Sequence, residues 1–102
     1  MQYRGFGRTG MRVSALGVGT NRLRQCPPAE ATALLNRALD LGINLVSTGA
    51  MYGTEELIGQ AISHRRSEYY LGSKAGKRTA QDEREVLEGS LRRLRVDYLD
   101  WY

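Results

Sequence analysis

A tyrosine and a lysine in this sequence each follow a short apolar segment, and together they could perform acid–base chemistry. Tyr52 lies in a loop after the apolar segment 43–46, and Lys74 follows the segment YYLGS at 69–73. A tyrosine hydroxyl can protonate an alkoxide as it forms, and a nearby ammonium group stabilises the phenolate that remains. Tyrosine and lysine are also common at loop edges, so spacing alone leaves an ordinary surface role open.

Further polar residues stand where the apolar segments end. Ser47 directly follows segment 43–46, while Gly19, Thr20 and Asn21 close the segment that begins at residue 15. The stretch GVGT is a weak phosphate-loop signal because it lacks the full glycine fingerprint. These residues therefore become candidates only if the fold brings them beside Tyr52 and Lys74.

The apolar segments alternate with helical patterns, which predicts parallel strands joined by helices. A hairpin is expected first, in YRGFGRTGMRV. Strands are expected at 15–19, 43–46, 69–73 and 97–102, and helices at 27–42, from Thr54 and from Thr79. The first helix should bury a stripe of five apolar residues: Ala31, Leu34, Leu35, Ala38 and Leu39.

Two architectures fit this repeat, an open doubly wound sheet or half of a (β/α)8 barrel, which takes about 250 residues when complete. In both, functional side chains collect at the carboxyl ends of the strands.

The composition is that of a globular protein and argues against several classes. Of the 102 residues, 41% are hydrophobic and 25% are charged. No segment approaches the roughly 18 apolar residues of a membrane helix, and the polar N-terminus does not resemble a signal peptide. The net charge of +4 comes from dispersed arginines, many at predicted helix ends, so we expect no nucleic-acid partner. Cys26 is the only cysteine, which favours a cytoplasmic location.

The chain resembles the N-terminal half of the aldo-keto reductases along essentially its whole length. The resemblance is carried jointly by YRGFGRTGMRVSALGVGT, ALDLGINLVSTGAMYGTEELIG, YYLGSKAG and SLRRLRVDYLDWY. Members of this family fold as a (β/α)8 barrel with a short hairpin closing its bottom, and they reduce carbonyls with NADPH. The resemblance implies that residues 1–102 form a single partial domain, a half-barrel of four βα units preceded by a hairpin.

The same resemblance assigns roles to the candidate residues. In the family an aspartate ends the second strand, a tyrosine follows it, a lysine ends the third strand and a histidine ends the fourth. Tyr52 would then be the proton donor and Lys74 its activator. The predicted cofactor-binding residues are Gly19, Thr20 and Asn21, near the nicotinamide end of NADPH, and no metal is expected.

Two features depart from the family pattern. The motif DTA-x-x-YG is STGAMYG here, so Ser47 stands at the aspartate position. A serine can accept one hydrogen bond from Lys74 but contributes no charge, so the support that Lys74 gives Tyr52 would weaken. The sequence also stops at Tyr102, just before the expected histidine and the half that supplies most of the family's cofactor cradle.

The sequence therefore predicts the N-terminal portion of an NAD(P)H-dependent aldo-keto reductase acting on an aldehyde or ketone. The 102-residue piece alone is expected to be inactive, to bind NADPH weakly and to self-associate. Two alternatives stay open: a non-catalytic binding or regulatory protein on the same scaffold, as in potassium-channel β subunits, and an oligomerising half-barrel.

Overall fold

The first two strands form the predicted N-terminal hairpin. The computed structural model describes all residues from Met1 to Tyr102. Strand β1 (Tyr3–Gly5) pairs antiparallel with β2 (Arg12–Ser14). The turn between them uses Gly7 and Gly10, whose φ angles of +58° and +81° lie in the left-handed region that glycine adopts without strain.

Three short parallel strands form the sheet that carries the candidate residues. In spatial order they are β3 (Val18–Gly19), β4 (Leu45–Ser47) and β5 (Tyr70–Gly72). The register aligns the last residues of the three strands with one another. Their carboxyl ends therefore lie side by side at one edge of the sheet, as the βα repeat predicts.

A helix follows each parallel strand: α1 spans Pro28–Asp40, α2 spans Glu55–Ile62 and α3 spans Ala80–Leu94. Thr79 caps α3, because its Oγ1 accepts the N–H of Asp82 at 3.1 Å, and the helix begins where the sequence predicts. No helix has the combination of length and apolar composition that crossing a bilayer requires. Short 3₁₀ helices complete the chain at Asn21–Gln25, Ala50–Tyr52 and Ser63–Glu68.

The core lies between the helices and the sheet. Gly59 lets α2 approach the end of α3 closely, since a Cβ at this position would collide with the backbone of Arg93 and Leu94. The predicted stripe of α1 is buried except for Leu34, which is 48% exposed, so that part of the prediction was wrong. The buried core residues are Leu23, Ala31, Leu35, Leu39, Val46, Ile58, Ala61, Ile62, Tyr69, Leu71 and Leu94.

The strand predicted at 15–19 is shorter and more exposed than expected. Only Val18 and Gly19 pair with β4, and Leu16 is 61% exposed. The reason is that β3 is an edge strand in this chain, with no strand hydrogen-bonded to its outer side.

The strand predicted at 97–102 is reduced to a single parallel bridge between Gly72 and Trp101. Asp100 explains much of this difference. Its carboxylate accepts the N–H of Leu71 at 2.7 Å, a donor that a regular ladder would pair with a backbone carbonyl. The same carboxylate forms an ion pair with Arg66 at 2.7 Å, which fixes this arrangement.

Candidate active site

The structure brings Tyr52 and Lys74 together at the carboxyl edge of the sheet. The Nζ atom of Lys74 lies 4.9 Å from the centroid of the Tyr52 ring, within the range of a cation–π contact. A backbone hydrogen bond of 2.9 Å from the Ala50 N–H to the Lys74 carbonyl joins the two loops. The side chains that spacing predicted to converge are therefore neighbours, and their catalytic roles stay predictions.

Gly49 makes room for this pair. A Cβ at Gly49 would lie 3.3 Å from Cγ of Lys74, 3.3 Å from Cζ of Tyr52 and 2.9 Å from the sulfur of Met51. The Tyr52 and Lys74 side chains thus pack over a buried position that has no side chain of its own. The sequence analysis did not identify this residue, although STG in place of the family's DTA was the available signal.

Lys74 takes a different acceptor from the one expected. Its Nζ donates to the backbone carbonyl of Thr48 at 2.7 Å, and no hydrogen bond joins it to Ser47. The hydrogen bond that a serine hydroxyl could accept from Lys74 is therefore not formed in this structure. A serine oxygen sits one bond closer to the backbone than an aspartate oxygen does, so the ammonium reaches the adjacent carbonyl instead.

Three buried threonine hydroxyls tie the strand ends to the start of α2. Thr54 Oγ1 lies 3.4 Å from both Thr20 Oγ1 and Thr48 Oγ1, and Thr20 Oγ1 donates to the Ser47 carbonyl at 3.2 Å. Each of these threonines is at most 1% exposed. The buried hydroxyls provide hydrogen-bonding partners for one another, and they anchor the segment whose carbonyl holds Lys74.

A buried carboxylate lies beneath the two loops. The Glu55 side chain is 1% exposed and forms an ion pair with Arg93 of α3. Its Oε1 also accepts the hydroxyl of Ser73 at 2.8 Å. The sequence analysis missed this residue because an acidic residue in the first turn of a helix is fully explained by the helix dipole.

The loop that follows Lys74 is closed by Glu83. The Glu83 carboxylate accepts the Lys77 N–H at 2.7 Å and the Tyr102 hydroxyl at 2.9 Å. Partial desolvation, reinforced by that carboxylate, raises the pKa of Tyr102 to about 12. The raised pKa extends to more alkaline pH the range over which the Tyr102 hydroxyl stays protonated and donates to Glu83.

The predicted cofactor residues lie on the neighbouring strand end. A Cβ built on Gly19 would meet no atom within 4 Å, so the backbone there is open to a flat ring. The Thr20 hydroxyl is buried in the threonine cluster. Asn21 is exposed and begins a 3₁₀ helix. Gly19 and Asn21 thus leave space at this strand end, whereas the Thr20 hydroxyl is already engaged by its neighbours, and the cofactor-binding roles of all three residues stay predictions.

The fold and this arrangement define an α/β protein of the kind that places its chemistry at the carboxyl ends of parallel strands. Residues 15–102 match the sequence profile described as "Aldo/keto reductase family". The chain belongs to the aldo-keto reductase family, whose members are oxidoreductases.

Relatives of known sequence and structure agree with this assignment. The chain is 36% identical to a probable voltage-gated potassium channel subunit beta of Oryza sativa subsp. japonica, over 98% of this chain and 36% of that protein. It is 35% identical to methylglyoxal reductase YeaE of Escherichia coli, over 86% of this chain and 34% of that protein. Aldo-keto reductase AKR11C1 of Bacillus halodurans, in its holo form, superposes with a TM-score of 0.84 at 31% identity, over 97% of this chain and 38% of that one. The chain thus spans between a third and two fifths of the length of these proteins.

Proposed function

We propose that this chain is the N-terminal part of an NAD(P)H-dependent aldo-keto reductase that reduces an aldehyde or ketone. On this proposal its strands and helices are the first βα units of a (β/α)8 barrel, with 97–102 as the beginning of the fourth strand. The proximity of Tyr52 and Lys74 at the strand ends is the observation that carries the proposal. We propose a cytoplasmic location and no nucleic-acid partner, from the single cysteine and the dispersed arginines.

The proposed chemistry assigns a separate task to each residue. In this family the reduced nicotinamide supplies a hydride to the carbonyl carbon. The Tyr52 hydroxyl would donate a proton to the carbonyl oxygen as negative charge develops there. Lys74, held by the Thr48 carbonyl, would keep a positive charge beside the phenolate that remains. Gly19 and Asn21 would contact the cofactor at its nicotinamide end.

A chimera tests the proposal without knowledge of the rest of the protein. Residues 1–102 would replace the matching N-terminal segment of methylglyoxal reductase YeaE, and turnover of methylglyoxal would be followed by the loss of reduced nicotinamide. We expect measurable reduction by a chimera whose circular dichroism matches that of the host. Sequencing beyond the codon for Tyr102 is an independent test, since an open frame encoding a histidine almost at once supports the proposal and a stop codon contradicts it for this chain.

A non-catalytic role is favoured by one observation, the serine at position 47. Without a carboxylate there, Lys74 has only neutral contacts, the Thr48 carbonyl and the Tyr52 ring. The similarity to a potassium channel subunit is consistent with binding or regulation on this scaffold. A folded chimera that binds NADPH but does not reduce methylglyoxal would favour this alternative over the reductase.

We predict that Ser47→Asp raises the chemical rate of the chimera. A carboxylate at this position would give Lys74 a charged acceptor and hold the ammonium more firmly beside Tyr52. The expected gain is about tenfold in single-turnover reduction, which corresponds to about 1.4 kcal/mol of activation free energy.

Ser47→Ala is the matched control, because it changes the same position without adding charge and should leave the rate nearly unchanged. No gain, or a loss, in Ser47→Asp would mean that the site has been rebuilt around the serine.

A further inference from the structure

Glu55 is a buried charge whose hydrogen-bonding partners come from two other elements. Its Oε2 accepts from the Arg93 Nε at 3.0 Å and from a terminal guanidinium nitrogen at 2.8 Å. Its Oε1 accepts from the Ser73 hydroxyl at 2.8 Å. A buried carboxylate is costly unless it is paired in this way, so these contacts strongly restrict where the three residues can lie.

The position of Glu55 in the chain links it to both candidate catalytic residues. Glu55 opens α2, directly after the 3₁₀ segment and loop that contain Tyr52. Ser73 is the residue before Lys74. A displacement of Ser73 therefore moves the backbone from which the Lys74 side chain extends. The exposed side chain of Lys74 has few contacts of its own, namely the Thr48 carbonyl and the Tyr52 ring.

We propose that Glu55 is a positioning residue for Lys74, acting through the Ser73 hydroxyl and anchored by Arg93. The carboxylate fixes the end of β5 so that the ammonium reaches the Thr48 carbonyl and stays over the Tyr52 ring. Glu55 thus restricts the position of Lys74. Ser47 does not, because it forms no hydrogen bond with Lys74. This inference deepens the proposed function, and only its catalytic consequence rests on that function.

The sequence offers a direct probe of Lys74. Lys74 and Lys77 are the only lysines of residues 1–102, so reductive methylation of the chimera with ¹³C-formaldehyde labels just these two side chains in this part of the protein. Lys74→Arg and Lys77→Arg variants of the chimera assign the two signals. The ring current of Tyr52 should displace the Lys74 methyl resonance from the position of a free lysine, because the ammonium lies 4.9 Å from the ring centroid.

We expect Glu55→Gln and Ser73→Ala, in the chimera, to reduce this displacement by half or more while the Lys77 signal stays in place. Ser73→Ala removes a single hydroxyl, so it carries the test if Glu55→Gln fails to fold. Ile62→Val is the matched control for a general loss of stability. It alters a buried residue at the opposite end of the same helix and should leave the Lys74 signal unmoved.

Three results would overturn the proposal: an unmoved Lys74 signal in Ser73→Ala, an equal movement in Ile62→Val, or a free-lysine position in the unsubstituted chimera. The measurement requires neither cofactor nor turnover. An inactive chimera would therefore count against the proposed function and leave this inference standing. An unmoved methyl signal would contradict this inference and leave the proposed function standing.

Discussion

Tyr52→Phe is expected to lower kcat for methylglyoxal in the chimera by about a thousandfold, the middle of the range for loss of a general acid. The hydroxyl would act on the substrate oxygen as charge develops in the transition state, so its removal should affect turnover and not the binding of NADPH. The phenylalanine ring would keep the packing against Gly49 and Lys74. Steady-state turnover and cofactor fluorescence titration measure the two effects separately.

Tyr98→Phe provides a closely matched control. It removes the same hydroxyl from another ring that faces a cation, since the Arg66 guanidinium lies 4.0 Å from the Tyr98 centroid. Tyr98 is 51% exposed, and no role at the strand ends is proposed for it. Its substitution should leave kcat nearly unchanged. Turnover retained in Tyr52→Phe would remove Tyr52 from the mechanism.

The convergence of Tyr52 and Lys74 was predictable because it depends only on topology. Once the repeat implied parallel strands, the residues after neighbouring strands had to meet at one edge of the sheet. The contacts of the Lys74 side chain could not be predicted in this way. Its acceptor is a backbone carbonyl, at Thr48, which has no signature in the sequence. The burial of Glu55 could not be predicted either, because its partners Ser73 and Arg93 lie far from it in the sequence.

Apart from the exposed Leu34 of α1, the errors in the fold prediction occurred at the sides of the sheet. Hydrophobic patterning identifies strands as they would lie in a closed sheet, but it does not say whether a neighbour is present. The pattern therefore predicts that Leu16 belongs to a buried strand, whereas Leu16 is exposed in this chain. At the other side of the sheet, the Asp100 carboxylate accepts the Leu71 N–H in place of a backbone carbonyl. The apolar pattern of 97–102 does not predict this hydrogen bond.

As a separate polypeptide, the 102-residue chain is expected to self-associate and not to behave as a compact monomer. The outer side of β3 has no paired strand, and the other side of the sheet is covered by the single bridge at Trp101. Unpaired strand edges template pairing with another chain. Exposed apolar side chains add to this tendency, including Leu16 at 61% and Met51 at 60% exposure. Dimers in which two sheets pair edge to edge, larger aggregates or a molten state are the expected outcomes.

Leu16→Lys should weaken this association, because it places a charge beside the open edge of β3. Leu41→Lys is the matched control, since Leu41 is similarly exposed, at 53%, but follows α1 and is not adjacent to β3 in the sequence. Sedimentation velocity at low micromolar concentration would measure the distribution of species in the unsubstituted chain and in both variants.

Weak binding of NADPH is expected from the same samples, whatever the oligomeric state. In the described residues the predicted contacts with the nicotinamide end of the cofactor are limited to the open backbone at Gly19 and the exposed side chain of Asn21. Affinity for a dinucleotide depends on contacts along its whole length, so a dissociation constant well above the micromolar range follows. Cofactor fluorescence, recorded alongside sedimentation, tests this expectation. A well-dispersed monomer that binds NADPH in the micromolar range would show that these residues form a complete functional unit, and it would contradict the half-barrel proposal.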